Sequence, residues 1–219
     1  RFKRMTAYFK EKGINWHEFQ HNAVMRGLKN RYRWNEKWHE CMHSPLIHPD
    51  FTQLPESQKS IERPKVWFQE TAFASVRNKN RQAGGVSTAW KYLNSFFESR
   101  GRGYSSGISK PERSRSTCSR LSPYLAWGNL SLREVYHEAL KHKAKPGWQR
   151  SMQNFISRLH WHCHFIQKFE MECRVESSLF NRGYEQLPFN EDQEAFERWK
   201  NGTTGIPLVD ACMRCLIET

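Results

Sequence analysis

Apolar residues recur every third and fourth position through the second half of the chain, the period of helices with one buried face. After Gly84-Gly85, Val86, Trp90, Leu93 and Phe97 share a face, and Gly101 ends that helix. Residues 101–117 are rich in Gly, Ser and Arg and read as a loop. Ser131 and Glu134 form a capping box, each able to satisfy the other's backbone N–H. The helix behind it carries Leu132, Val135, Tyr136, Ala139 and Leu140 and breaks at Pro146-Gly147. The longest helix covers 149–173, with Phe155, Leu159, His162, Ile166 and Phe169 at spacings of three and four. A polar loop leads to a helix from about Glu191 to Lys200, carrying Phe196 and Trp199. Pro207 suits the first turn of a last helix, expected to pack Leu208, Ala211, Cys212 and Leu216.

The first part of the chain has a different pattern. Residues 1–12 predict a basic amphipathic helix with Phe2, Met5 and Phe9 on one face, stopped by Gly13. Ile14 to Phe19 then alternates apolar and polar, as a half-buried strand does. Helix, glycine and strand together read as the tail of an α/β unit over residues 1–20. Residues 21–83 are charged, aromatic and broken by Pro45, Pro49, Pro55 and Pro64, which predicts a connection with short helical pieces. Residues 84–219 form the helical domain, so the fold class is mainly α. The sequence starts without Met and stops inside a helical pattern, and it is expected to be a fragment of a longer protein.

Composition narrows the function classes. Aromatic residues make up 14% of the chain and nine are tryptophan, a composition suited to a packed helical core or an aromatic ligand rather than to disorder. The net charge is +13, and residues 51–120 carry 13 Lys/Arg against 5 Asp/Glu. Residues 183–219 reverse that balance, with 3 against 7. A basic body with an acidic end favours a polyanionic partner, most simply nucleic acid, over a solvated basic surface. No apolar run is long enough to span a membrane. The six cysteines are irregularly spaced, which favours a reduced, cytoplasmic setting.

Cys118-Ser119-Arg120-Leu121-Ser122-Pro123-Tyr124-Leu125 places hydroxyls, a thiol, an arginine and a proline in a short turn before an apolar segment. Exposed N–H groups at such a turn suit an anion, phosphate above all, although capped helix starts with a surface arginine are also common. His160 and His164 are one helical turn apart, but no HExxH pattern supplies further ligands, so no metal is assigned. Cys212 and Cys215 have CxxC spacing inside a helix with no second pair, and read as buried packing residues.

Three stretches resemble the photolyase/cryptochrome flavoproteins. Ser119 to Leu125 and its continuation Trp127 to Val135 are similar to the turn that wraps the diphosphate of FAD there. Trp199 to Arg214 resembles a second signature of that family, and Gly84-Gly85 with the following helix resembles the entry to its helical domain. The resemblance implies part of an all-helical FAD-binding domain, preceded by the end of an α/β antenna domain that carries an antenna chromophore in some members.

By the same resemblance Cys118, Ser119, Arg120, Leu121 and Ser122 would hold the FAD diphosphate, with a thiol at 118 where the family usually has threonine. Tyr104 would stand near the adenosine and phosphates, Phe155 would line the cavity, and Trp161 would face the lesion. Two positions depart from the family. Arg158 stands in place of a carboxylate that bonds the damaged bases, and an arginine only donates. His162 stands where an arginine often contacts the cofactor. The implied activity is FAD-dependent, blue-light-driven repair of pyrimidine dimers in UV-damaged DNA by a monomeric photolyase, of which residues 1–219 alone would be inactive and bind FAD weakly or not at all. A cryptochrome light sensor without repair is the first alternative. A basic helical nucleic-acid-binding module without flavin is the second.

Overall fold

In a computed structural model the described residues are 2–17, 19–48, 50, 52 and 80–218. All their regular structure is helical. They fall into two compact units, one made of Arg1–Leu46 with Ala89–Ser178, the other of Ile47–Thr88 with Leu179–Thr219.

The first unit contains α1 (Phe2–Glu11), α2 (Trp34–His43), most of α3 (Val86–Glu98), the short turns α4 (Tyr104–Gly107), α5 (Pro111–Thr117) and α6 (Ser122–Ala126), α7 (Leu132–Lys143) and α8 (Gln149–Met171). Its core forms where α3, α7 and α8 turn their apolar faces together, through Leu93, Phe96, Val135, Met152 and Phe155. Ser131 caps α7 as the sequence indicates: its hydroxyl accepts from Glu134 N at 3.0 Å, and Glu134 accepts from Ser131 N at 2.7 Å. Ser131→Ala is expected to cost about 1 kcal/mol, read as a lower denaturant midpoint with unchanged slope.

Several expectations are corrected. The strand at 14–19 is absent: its described residues are irregular, and Trp16 stacks on Phe9 of α1 at 4.7 Å. Alternation makes a strand only where a second strand supplies a ladder, and the described residues contain none. Residues 101–117 are not an open loop but tight helical turns, with a 3-10 turn at Arg100–Gly103 leading into α4. Glycine is required there by close approach. A Cβ on Gly107 would lie 2.1 Å from the Thr117 hydroxyl oxygen, and one on Gly101 2.8 Å from the Phe96 carbonyl.

In the connecting region, α2 sends Trp34, Trp38 and Met42 into the core. Arg133 of α7 donates to Pro45 O at 3.0 Å, and the His137 ring lies 2.8 Å from Met42 O. On α3, Val86 is exposed and the buried face is Ala89, Leu93, Phe96 and Phe97. On α8 the inward stripe runs through Met152, Phe155, Leu159, Cys163 and Gln167, which leaves Ile166 and Phe169 exposed. Gln167 is fully enclosed yet satisfied: its amide accepts from Met25 N at 2.6 Å and donates to Met25 O at 2.9 Å.

The second unit holds α9 (Gln193–Lys200), capped by Asp192, and α10 (Pro207–Glu218). Asp210 turns inward and accepts from Thr204 N at 2.8 Å, the Thr204 hydroxyl at 2.6 Å and Gly205 N at 3.0 Å. With that side of α10 facing its own turn, Leu208, Ala211, Cys212 and Leu216 lie on the open side and are exposed rather than packed. Cys215 is half-buried.

Candidate functional site

The 118–122 turn begins where α5 ends. Cys118 leaves the helix in an extended conformation, its N–H donating back to Ser114 O at 3.0 Å. Arg120 then takes a left-handed backbone, φ 58°, and Leu121 a right-handed one, φ −91° and ψ −9°. That alternation swings successive N–H groups toward one concave side, the arrangement that cradles anions. Leu121 is only 2% exposed and anchors the turn in the core, so what it offers a ligand is its amide. The amides of Ser119, Leu121 and Ser122 donate to no other group among the described residues.

A residue that sequence reasoning missed lies beneath the turn. The Arg100 guanidinium donates to Cys118 O and, at 3.5 Å, to Ser119 O. It also donates to Tyr92 O at 2.9 Å and to the Ser95 hydroxyl at 3.0 and 3.1 Å. Burial lowers its pKa from the usual arginine value, with the nearby Arg120 charge adding to the effect against opposing contributions from Tyr92 and Cys118. Burial likewise pushes the Cys118 thiol up. The thiol therefore stays protonated near neutral pH and serves as a weak donor at most.

Of the other sequence-assigned residues, Tyr104 and Phe155 come together, ring centroids 5.5 Å apart, with Phe96 4.8 Å from Phe155. Both are buried, so Phe155 is a wall of the core beneath the site. The Tyr104 phenol is pushed up to about 12 by burial and then by the Cys118 thiol, with Arg158 acting in the other direction. It is a proton-holding donor at the edge of the turn. Arg158 and Trp161 are exposed on α8, and the Arg158 guanidinium sits 4.6 Å from the centre of the Trp161 ring. His162 is half-buried, and its Nδ1 is enclosed without a hydrogen-bond partner among the described residues.

The histidines of α8 form a second feature. His160 packs against Trp34 and Trp38 of α2, at 5.1 and 4.8 Å, and Arg31 Nη1 lies 2.8 Å from His164 Nδ1. Burial holds all three histidines below the ordinary imidazole value of 6.5; His39 and His164 add to this at His160, His21 at His162, and Arg31 and Lys168 at His164. The folded chain thus keeps them neutral where the unfolded chain already takes up protons. Their contribution to stability is complete above pH 6.5 and is lost as pH falls below that value toward the depressed folded values. The expected result is a urea midpoint that drops between about pH 7 and pH 5, with a smaller drop in His160→Gln. Among the described residues no three His, Cys, Asp or Glu side chains are grouped to hold a metal ion.

The model of the FAD-binding domain of DNA photolyase matches residues 155–219. A deoxyribodipyrimidine photo-lyase from Alkalihalophilus pseudofirmus is 33% identical over 68% of this chain and 31% of its own length. A second, from Halobacterium salinarum, is 32% identical over 84% of this chain and 39% of its own. The chain therefore spans between 31% and 39% of the lengths of these two relatives. Among solved structures, the cryptochrome of Synechocystis superposes with a TM-score of 0.52 at 32% identity, covering 62% of this chain and 28% of that one.

Proposed function

We propose a function from one premise: this chain belongs to the photolyase/cryptochrome family of flavoproteins. On that reading residues 118–122 hold the diphosphate of FAD in a protein that repairs pyrimidine dimers in DNA under blue light. The observation that carries it is the turn itself. It combines a left-handed then right-handed backbone, amides at Ser119, Leu121 and Ser122 with no acceptor among the described residues, and Arg120 beside them. Two phosphates need several donors and positive charge on one side, and the turn fits that need.

When bound and reduced, FAD supplies the light-driven electron that splits a dimer. The chain's own residues bind and orient. The amides and the Ser119 and Ser122 hydroxyls would donate to phosphate oxygens, and Arg120 would balance their charge. Tyr104 keeps its phenolic proton next to Cys118 and can donate at the same edge. Phe155, Phe96 and Tyr104 close the space below against water. On α8 the Arg158–Trp161 pair presents an exposed aromatic face that suits stacking by an unpaired base. The net charge of +13 favours the DNA duplex that carries it.

Arg158 supports a second reading. A donor-only side chain cannot accept from the bases as a carboxylate does, which favours a light sensor of this family without repair activity. The test is illumination of the flavin-loaded full-length protein with an oligonucleotide containing one thymine dimer. Restoration of the intact thymines supports repair, flavin photoreduction without restoration supports the sensor, and a colourless protein that binds no flavin overturns both.

A further inference from the structure

We propose that Arg100 is a positioning residue that sets the direction of the phosphate-binding amides without touching the ligand. The proposal rests on the FAD reading of the turn. In a trans peptide the C=O and the following N–H point to opposite sides. Arg100 draws the carbonyls of Cys118 and Ser119 to its own side. The N–H groups of the same two peptides, those of Ser119 and Arg120, therefore point the other way. This is the side onto which the left-handed Arg120 also turns the amides of Leu121 and Ser122.

The guanidinium is itself held at a fixed angle. Two of its nitrogens bond the Ser95 hydroxyl, one of these also bonds Tyr92 O, and Ser95 donates to Tyr92 O at 3.0 Å. Its carbon lies 5.8 Å from the centre of the Phe96 ring. So α3 is cross-linked to a backbone 18 residues further on by one side chain that offers several donors in a rigid fork. Lysine cannot reproduce that fork. A left-handed non-glycine residue is costly on its own, and the fork is what over-determines it here. The position also gives the turn a second positive charge behind its carbonyls. The mutual repulsion of Arg100 and Arg120 is relieved when an anion occupies the concave side.

The experiment measures dissociation constants of FAD, ADP and riboflavin for the full-length protein and its Arg100→Lys, Arg100→Ala and Ser95→Ala variants. Arg100→Ala is expected to weaken FAD and ADP by a common factor of about tenfold or more, with riboflavin unchanged. Arg100→Lys is expected to fall between wild type and Arg100→Ala, because charge alone does not orient the carbonyls. Ser95→Ala removes only the brace on the guanidinium, and is expected to shift FAD and ADP in the same sense by a few-fold, even if Arg100→Ala fails to fold. Equal loss for all three ligands would mark a general packing defect and overturn the proposal. So would wild-type affinity in Arg100→Ala, or full rescue by lysine. If the wild-type protein binds neither FAD nor ADP, the FAD reading itself fails, a result distinct from those.

Discussion

Arg120→Glu is expected to remove measurable FAD binding from the full-length protein, with affinity falling by about a hundredfold or more. On the proposed reading the substitution would delete a charge-assisted contact and place a carboxylate beside two phosphates. Lost contacts of that kind cost about 1.5–3 kcal/mol, and like-charge juxtaposition costs several kcal/mol. Arg120→Gly separates charge from conformation. The backbone there has φ 58°, a region glycine enters freely, so the turn survives while the guanidinium is lost. Its expected loss is about tenfold, one charge-assisted contact without the repulsion. Equilibrium dialysis against FAD reads both variants, and unchanged far-UV circular dichroism confirms that the helices remain. Equal, wild-type binding by the two variants would show that the turn faces no phosphate.

Trp38→Ala has the largest expected effect on stability, about 3–5 kcal/mol. Trp38 is fully enclosed between α2, α7 and α8, its ring 5.4 Å from Tyr136 and 4.8 Å from His160. Truncation would leave a cavity that three rigid helices cannot collapse into. Trp38→Phe is expected to cost less than about 1.5 kcal/mol, since it keeps an aromatic ring in the same enclosed place. Urea unfolding followed by circular dichroism checks both. A loss below about 1 kcal/mol in Trp38→Ala would mean that α2 contributes little to the unit.

The helices were legible because their signals are local. The Ser131–Glu134 box, Pro207 and the three-four spacing on α3, α7 and α8 lie within a few residues of the elements they define. The strand reading at 14–19 used an equally local signal, but a strand depends on a neighbour the pattern does not contain. The stripe on α8 departs from its apolar period at the C-terminal end, where Cys163 and Gln167, not Ile166 and Phe169, take the inward positions. Gln167 does so through bonds to Met25, 142 residues away, which no periodicity encodes. The turn at 118–122 could be singled out from its own residues. Arg100 could not, because it acts on the turn's carbonyls from 18 residues upstream, at the end of a helix whose own pattern stops at Gly101.

The most direct measurement is a crystal structure of the full-length protein loaded with FAD. Diphosphate oxygens about 3 Å from the amides of Leu121 and Ser122, with Arg100 still on the carbonyls of Cys118 and Ser119, are the expected result. Phosphates bound elsewhere, with that turn facing solvent, would contradict it.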